Sequence, residues 1–124
     1  MASKILVVDD EPNILLSLEF LMKHAGFQVR TASDGDAALA AVATEVPDLV
    51  LLDVMMPRRD GYEVCQAIRQ NPALANVKII MLTAKGRDVE REKGLALGAD
   101  DYIIKPFATQ ELVNKVKELL AGGS

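Results

Sequence analysis

The sequence predicts an α/β domain: one doubly wound, five-stranded parallel sheet in the order 2-1-3-4-5, covered by five helices. Three observations carry this. Apolar or β-branched runs of strand length alternate with longer segments of helical period, which calls for right-handed crossovers and a sheet covered on both faces. Some strand runs are continuously apolar and others alternate, which separates central strands from edges. The 124 residues accommodate five such units but not the eight strands of a closed barrel.

The first strand is Lys4 to Val8, continuously apolar from Ile5 onward. The helix after it carries Ile14, Leu15, Leu18, Leu21, Met22 and Ala25 on one stripe, with Pro12 in its first turn and Gly26 where a left-handed residue ends a helix. Phe27 to Ala32 alternates and reads as an edge strand. Asp34-Gly35 marks a turn before a weaker helical pattern from about Asp36 to Glu45. Asp48 to Leu52 and Val77 to Leu82 are the remaining central strands. Between them, after the Asp60-Gly61 turn, Gly61 to Gln70 places Val64, Cys65 and Ile68 on one helix face. Arg87 to Leu97 is a charged helix with few apolar positions. Tyr102 to Ile104 is a short second edge strand, and Leu112, Val113, Val116, Leu119 and Leu120 define the last helix. The expected extent of the domain is 1–121, with 122–124 a flexible tail or the start of a linker.

Half of the side chains are apolar and 26% are charged, with a formal charge of −4. A chain of this size buries roughly two-thirds of its unfolded surface, so a core forms without disulfides or a structural metal. The lone Cys65 allows no internal disulfide and, with no signal segment visible, points to a reducing cytoplasm. No apolar run approaches the roughly 18 residues a bilayer requires, so no membrane association is expected. The mild acidity and scattered basic residues argue against direct nucleic-acid binding.

In an open parallel sheet, ligands bind beyond the carboxyl ends of the strands, where the strand order reverses. Strand one ends in Asp9-Asp10, strand three in Asp53, strand four in Thr83 and strand five in Lys105-Pro106; only strand two brings no comparable group. Singly these residues have ordinary readings: acids before a helix cap it, a β-branched Thr suits a strand, and a lysine is usually solvated. Their convergence is the argument. Three neighbouring carboxylates repel one another unless a cation neutralises them, and an all-oxygen donor set suits Mg²⁺ or Mn²⁺. A carboxylate can also attack phosphorus, with a lysine and a hydroxyl to steady the phosphoryl oxygens.

From Lys4 to Leu120 the chain resembles the receiver domains of two-component response regulators, a CheY-like superfamily with a flavodoxin-like fold. The resemblance rests on Ile5 to Glu11, Leu52-Asp53-Val54-Met55-Met56-Pro57 with Asp60-Gly61, Leu82-Thr83-Ala84, and Gly98-Ala99-Asp100-Asp101-Tyr102 leading to Lys105-Pro106-Phe107. It implies a signalling switch rather than an enzyme, one that takes a phosphoryl group from a phosphohistidine sensor kinase or phosphotransfer protein. Asp53 would be the phosphoacceptor, and Asp10, Asp53 and the Met55 carbonyl would hold Mg²⁺, with Asp9 acting through water. Lys105 and Thr83 would meet the phosphoryl group, Thr83 and Tyr102 would form the switch, and Lys105-Pro106 would be cis. Met55 and Lys85 stand at positions expected to tune the phosphoryl lifetime.

The expected output is a change in the face formed by helix four, strand five and helix five, which controls a downstream protein or output domain. Arg91, Asp100, Asp101, Lys115 and Lys117 fall in this region and form a candidate dimer face for a phosphorylation-enhanced homodimer. Ala96, where related receivers usually carry an acid, leaves the ion-pair network incomplete. Cys65 is expected to pack as a small apolar group, His24 to complement the first helix's C-terminus, and the methionines to fill core and loop.

Three other functions compete. A phosphatase of the haloacid-dehalogenase type would use Asp9 as nucleophile and Glu11 as acid, but it leaves Asp53 idle and there are too few residues for a cap. A nucleotide or flavin binder would need a glycine-bearing first turn, and Asp9-Asp10-Glu11-Pro12-Asn13 has none. An interaction module that is never phosphorylated would not need the full acceptor set.

Overall fold

A computed structural model describes residues 2–84 and 88–122. The expected start of the fourth helix at Arg87, the position of Lys85 and the last two residues of the tail lie outside the described residues. The elements are β1 Lys4–Val8, α1 Pro12–His24, β2 Gln28–Ala32, α2 Gly35–Thr44, β3 Leu49–Asp53, α3 Gly61–Arg69, β4 Lys78–Ala84, α4 Asp88–Ala96, β5 Asp101–Lys105 and α5 Thr109–Ala121. A single 3₁₀ turn, Pro72–Leu74, precedes β4. All strand pairs are parallel and the order is β2-β1-β3-β4-β5, as the strand textures predict.

Alternation along the central strands divides the core in two. Leu6, Val8, Val50, Leu52, Ile79 and Met81 face α2 and α3, packing on Ala38, Val42, Val64, Cys65 and Ile68. Ile5, Val7, Leu49, Leu51, Ile80, Leu82 and Ile103 face the other way, onto Leu18 and Met22 of α1 and Leu112, Val113 and Val116 of α5. Successive strand residues point to opposite faces, so strands buried on both sides must be apolar throughout. Each fully buried Leu, Ile or Val side chain contributes about 1.5–3 kcal/mol.

The punctuation behaves as expected. Pro12 opens α1, and Gly26 at φ +99° closes it while Phe27 N–H donates to the Met22 carbonyl at 3.1 Å and Gly26 N–H to Lys23 at 3.0 Å. Asp34 and Asp60 are the N-caps of α2 and α3, accepting from Ala37 N–H at 2.7 Å and Glu63 N–H at 3.0 Å.

Two strands run further than their apolar stretches suggest. β3 includes Asp53, paired with Leu82, and β4 continues through Thr83 to Ala84, paired with Ile104 and Lys105. The extension places chemically useful side chains on the ladder itself instead of on a mobile loop. α4 departs from expectation in what it buries: Glu90 and Gly94 face inward, while Val89 is 76% exposed. Gly94 lies flat on Met81, whose Cγ would stand 3.1 Å from a Cβ at that position.

Candidate functional site

The register decides which side chains meet. Val8 pairs with Leu52, so the next residues, Asp9 and Asp53, end neighbouring strands at the same level. Asp9, Asp53 and Lys105 continue the alternation of Val7, Leu51 and Ile103, all of which face α1 and α5. Thr83 and Tyr102 have the other parity, that of Met81, the residue paired with Tyr102. The sheet edge therefore presents the acids and lysine from one face, and the hydroxyl and phenol from the other.

Lys105 Nζ donates to Asp9 Oδ2 and to Asp53 Oδ1, both at 3.0 Å. Asp9 is fully buried, and its second oxygen accepts from Glu11 N–H at 2.9 Å. Asp53 is 5% exposed, whereas Asp10 faces solvent. Oxygens of Asp9, Asp10 and Asp53 all lie within 4.8 Å of one another. Burial pushes the Asp53 carboxyl up to about 6, against the Lys105 hydrogen bond and charge, with Asp9 and Asp10 adding to the rise. For Lys105, burial works against the ammonium, but the hydrogen bonds and charges of Asp53 and Asp9 prevail and hold its pKa above the ordinary lysine value.

Neither oxygen of Asp9 is free to attack a substrate, and Glu11 serves as the N-cap of α1 without a side-chain capping bond. This argues against Asp9 as a nucleophile with Glu11 as its acid. The capping reading of the acids also fails for α1, because Asp9 bonds to Glu11 N–H ahead of the helix instead of to its first turn.

The cluster fits a hard divalent cation. Among the described residues it offers only oxygen donors, one solvent-facing and two buried, and carries more negative charge than Lys105 offsets. The loop after β3, which bears Met55, folds back on the strand end. Gly61 N–H donates to the Val54 carbonyl at 2.9 Å, and a Cβ on Gly61 would collide with the Asp53 carbonyl. Met56 is buried in the core while the Met55 side chain is exposed. The Lys105–Pro106 peptide is cis.

The candidate dimer-face residues do not stay together. Tyr102 lies between two cations, with Arg91 5.1 Å and Lys115 5.9 Å from its ring centre, and Arg91 also reaches its hydroxyl at 3.4 Å. Lys115 contacts Asp101 at 3.3 Å, which keeps Arg91, Asp101 and Lys115 on the α4–β5–α5 edge. Asp100 is elsewhere: its carboxylate accepts from Ile79 N–H at 2.8 Å and pairs with Arg69 of α3 at 2.8 Å. Arg69 also donates to the carbonyls of Gly98 at 2.8 Å and Val77 at 2.7 Å. Lys117 lines a shallow groove with Leu21 and His24 of α1, on another side of the molecule. Asp100 and Asp101 are adjacent in sequence but serve opposite sides, as consecutive residues entering a strand must.

Cys65 is buried, its thiol pushed up by that burial and its Sγ 3.8 Å from the Leu97 carbonyl. His24 ends α1, stacked on Phe20. No sequence pattern anticipates Arg58 and Arg59, which tie the β3–α3 loop to α2 through Arg58–Asp34 at 3.5 Å and Arg59–Asp36 at 2.8 Å. Two charges in a turn have no period from which a partner could be read.

A buried aspartate held by a lysine and flanked by two further acids, at the reversal point of a doubly wound sheet, defines an acidic switch-point pocket. The family model for the response regulator receiver domain matches residues 5–117, and the chain belongs to that family. It is 48% identical over 120 residues to the alkaline phosphatase synthesis transcriptional regulatory protein PhoP of Bacillus subtilis, covering 97% of this chain and 49% of that protein. The chain thus spans about half the length of this relative. Among solved structures, a chain from Chloroflexus aurantiacus described as a candidate response regulator is 40% identical with a TM-score of 0.94, covering 98% of this chain and 99% of that one. The signal receiver domain of a signal transduction histidine kinase from Syntrophus aciditrophicus is 34% identical with a TM-score of 0.91, covering 98% and 92%. The protein is therefore a signalling domain of bacterial two-component type.

Proposed function

We propose that this domain, residues 1–121 with 122–124 as its tail, is a phospho-accepting switch whose acceptor is Asp53. The observation that carries this is the Lys105 ammonium 3.0 Å from Asp53 Oδ1, inside a cluster of three carboxylates at the end of β3. Asp10, Asp53 and the Met55 carbonyl would hold Mg²⁺ (Mn²⁺ would serve too), with Asp9 acting through water. When bound, the ion offsets the negative charge of the phosphoryl oxygens.

The rest is done by the chain. An Asp53 carboxylate oxygen attacks the phosphorus of a phosphohistidine on a sensor kinase or phosphotransfer protein. The new O–P bond forms as the N–P bond breaks, and the bonding pair leaves with the imidazole nitrogen, which takes up a proton. Lys105 transfers its hydrogen bond from Asp53 to a phosphoryl oxygen, and Thr83 donates its hydroxyl to another. Drawing Thr83 toward the phosphoryl group opens space beside it, into which Tyr102 moves, and the α4–β5–α5 edge is remodelled. Water later cleaves the O–P bond, so the only reactions catalysed are the domain's own phosphorylation and dephosphorylation.

The signal passes to a downstream protein or output domain in the cytoplasm, with phosphorylation favouring a homodimer through Arg91, Asp101 and Lys115. The domain itself makes no nucleic-acid or membrane contact in this reading. Intact-mass measurement after incubation with acetyl phosphate, with and without Mg²⁺, tests the chemistry. One Mg²⁺-dependent phosphoryl group on wild type and none on Asp53→Asn is expected. An undiminished gain in Asp53→Asn, or no gain in wild type, refutes it.

A further inference from the structure

The loop that carries Met55 is seated against the first turn of α2, an element that contributes no residue to the pocket. At Gly35, the first residue of α2, a Cβ would stand 2.5 Å from the Arg59 carbonyl oxygen and 2.8 Å from the Arg59 Cβ. Real Cβ atoms essentially never approach a backbone atom so closely. Gly35 is helical and buried, so its conformation suits any residue and alanine would be the better helix former. What requires glycine is the space.

On either side of this contact, the loop arginines reach acids that flank Gly35: Arg58 to Asp34, and Arg59 to Asp36. Asp36 raises the Arg59 guanidinium pKa through hydrogen bond and charge. Arg58 adopts φ +66°, the only non-glycine in the left-handed region among the described residues. A bulky residue held there is under strain that its surroundings must hold in place. The same short loop is closed on the active-site side by Gly61 N–H to the Val54 carbonyl, with Met55 between the two anchor points.

We infer that Gly35, with the Asp34–Arg58 and Asp36–Arg59 pairs, is a positioning element that fixes the Met55 carbonyl for divalent-cation binding. This rests on the reading of Met55 as a cation ligand. Relieving a 2.5 Å approach to the Arg59 carbonyl oxygen requires a shift of roughly half an ångström or more, which travels along at most six residues to the Gly61–Val54 closure, and a carbonyl is useful to Mg²⁺ only in near-octahedral geometry. Exposed ion pairs add little stability, so these contacts act on geometry more than on folding.

The experiment is calorimetric titration of the whole chain with Mg²⁺, compared across wild type, Gly35→Ala, Arg59→Asp and the swapped pair Asp36→Arg/Arg59→Asp. Urea unfolding in EDTA and amide exchange of Gly61 accompany each titration. Gly35→Ala is expected to weaken Mg²⁺ binding about fivefold or more and to speed Gly61 exchange, while the folded circular dichroism signal is kept. Arg59→Asp is expected to weaken binding severalfold and the swap to recover most of it, which a merely structural role would not produce. If wild type binds Mg²⁺ and Gly35→Ala binds within twofold of it, this inference alone is overturned. If wild type binds no Mg²⁺, the proposed function falls and this inference with it.

Discussion

Replacing Asp53 by asparagine should stabilise the metal-free protein at neutral pH. An ordinary aspartate titrates at 3.8 and Asp53 at about 6, so the folded protein holds this proton more tightly than the unfolded chain does. Below 3.8 the carboxyl is protonated in both states and costs nothing. As pH rises toward 6 the unfolded chain releases its proton first, and stability falls; above 6 the full cost is present. At roughly 1.4 kcal/mol per pH unit the gap corresponds to about 3 kcal/mol. Asparagine is nearly the shape of the protonated acid and keeps an oxygen for Lys105, so it removes the cost without opening a cavity. The chain has no tryptophan, so the assay is urea unfolding in EDTA followed by far-ultraviolet circular dichroism, at several pH values from 4 to 7.5. The variant should match wild type near pH 4 and exceed it by about 3 kcal/mol at pH 7.5. A variant no more stable than wild type at pH 7.5, or a gap that does not change with pH, would refute the argument that desolvation governs this carboxylate.

Other consequences can be checked with the same protein. Lys105→Met leaves Asp9 and Asp53 buried without their cation, so urea unfolding at pH 7 should show a loss of about 3–5 kcal/mol, partly recovered at pH 5 as Asp53 takes up a proton. In wild type, the lysine's raised pKa means its contribution is complete below the unfolded value of 10.5 and is lost only as pH climbs through the higher folded value. Arg69→Ala removes three hydrogen bonds that join α3 to the loop before β5 and to the start of β4, and should cost about 3 kcal/mol in unfolding free energy. Cys65 should resist iodoacetamide in native protein at pH 8 and react fully in urea, because the thiol is buried and its pKa raised; rapid native labelling would contradict the packing described.

Much of this molecule could be read from its residues. Continuous apolar runs at Ile5–Val8, Leu49–Leu52 and Ile79–Leu82 fall on the three central strands, because a strand covered on both faces has no solvent side to encode. The pocket residues were legible for a related reason: parallel strands deliver their carboxyl ends to one edge, so Asp9, Asp53 and Lys105 meet whatever the intervening sequence. α4 resisted such reading, since its buried positions are Glu90 and Gly94, and neither is apolar enough to mark a stripe. The dispersal of Asp100 and Lys117 was hidden because loop and helix-face directions depend on packing partners, in these cases Arg69 and α1, far away in the chain.

The lysine that binds the two buried acids stands 96 residues after the first of them. A ribosome delivers Asp9 and Asp53 long before Lys105, and each must wait for the last strand of the sheet before its charge is answered. A half-made domain is consequently chemically mute. In the proposed switch, the cation that would steady a phosphoryl group arrives only with the edge strand, so acceptance of that group would follow completion of the sheet.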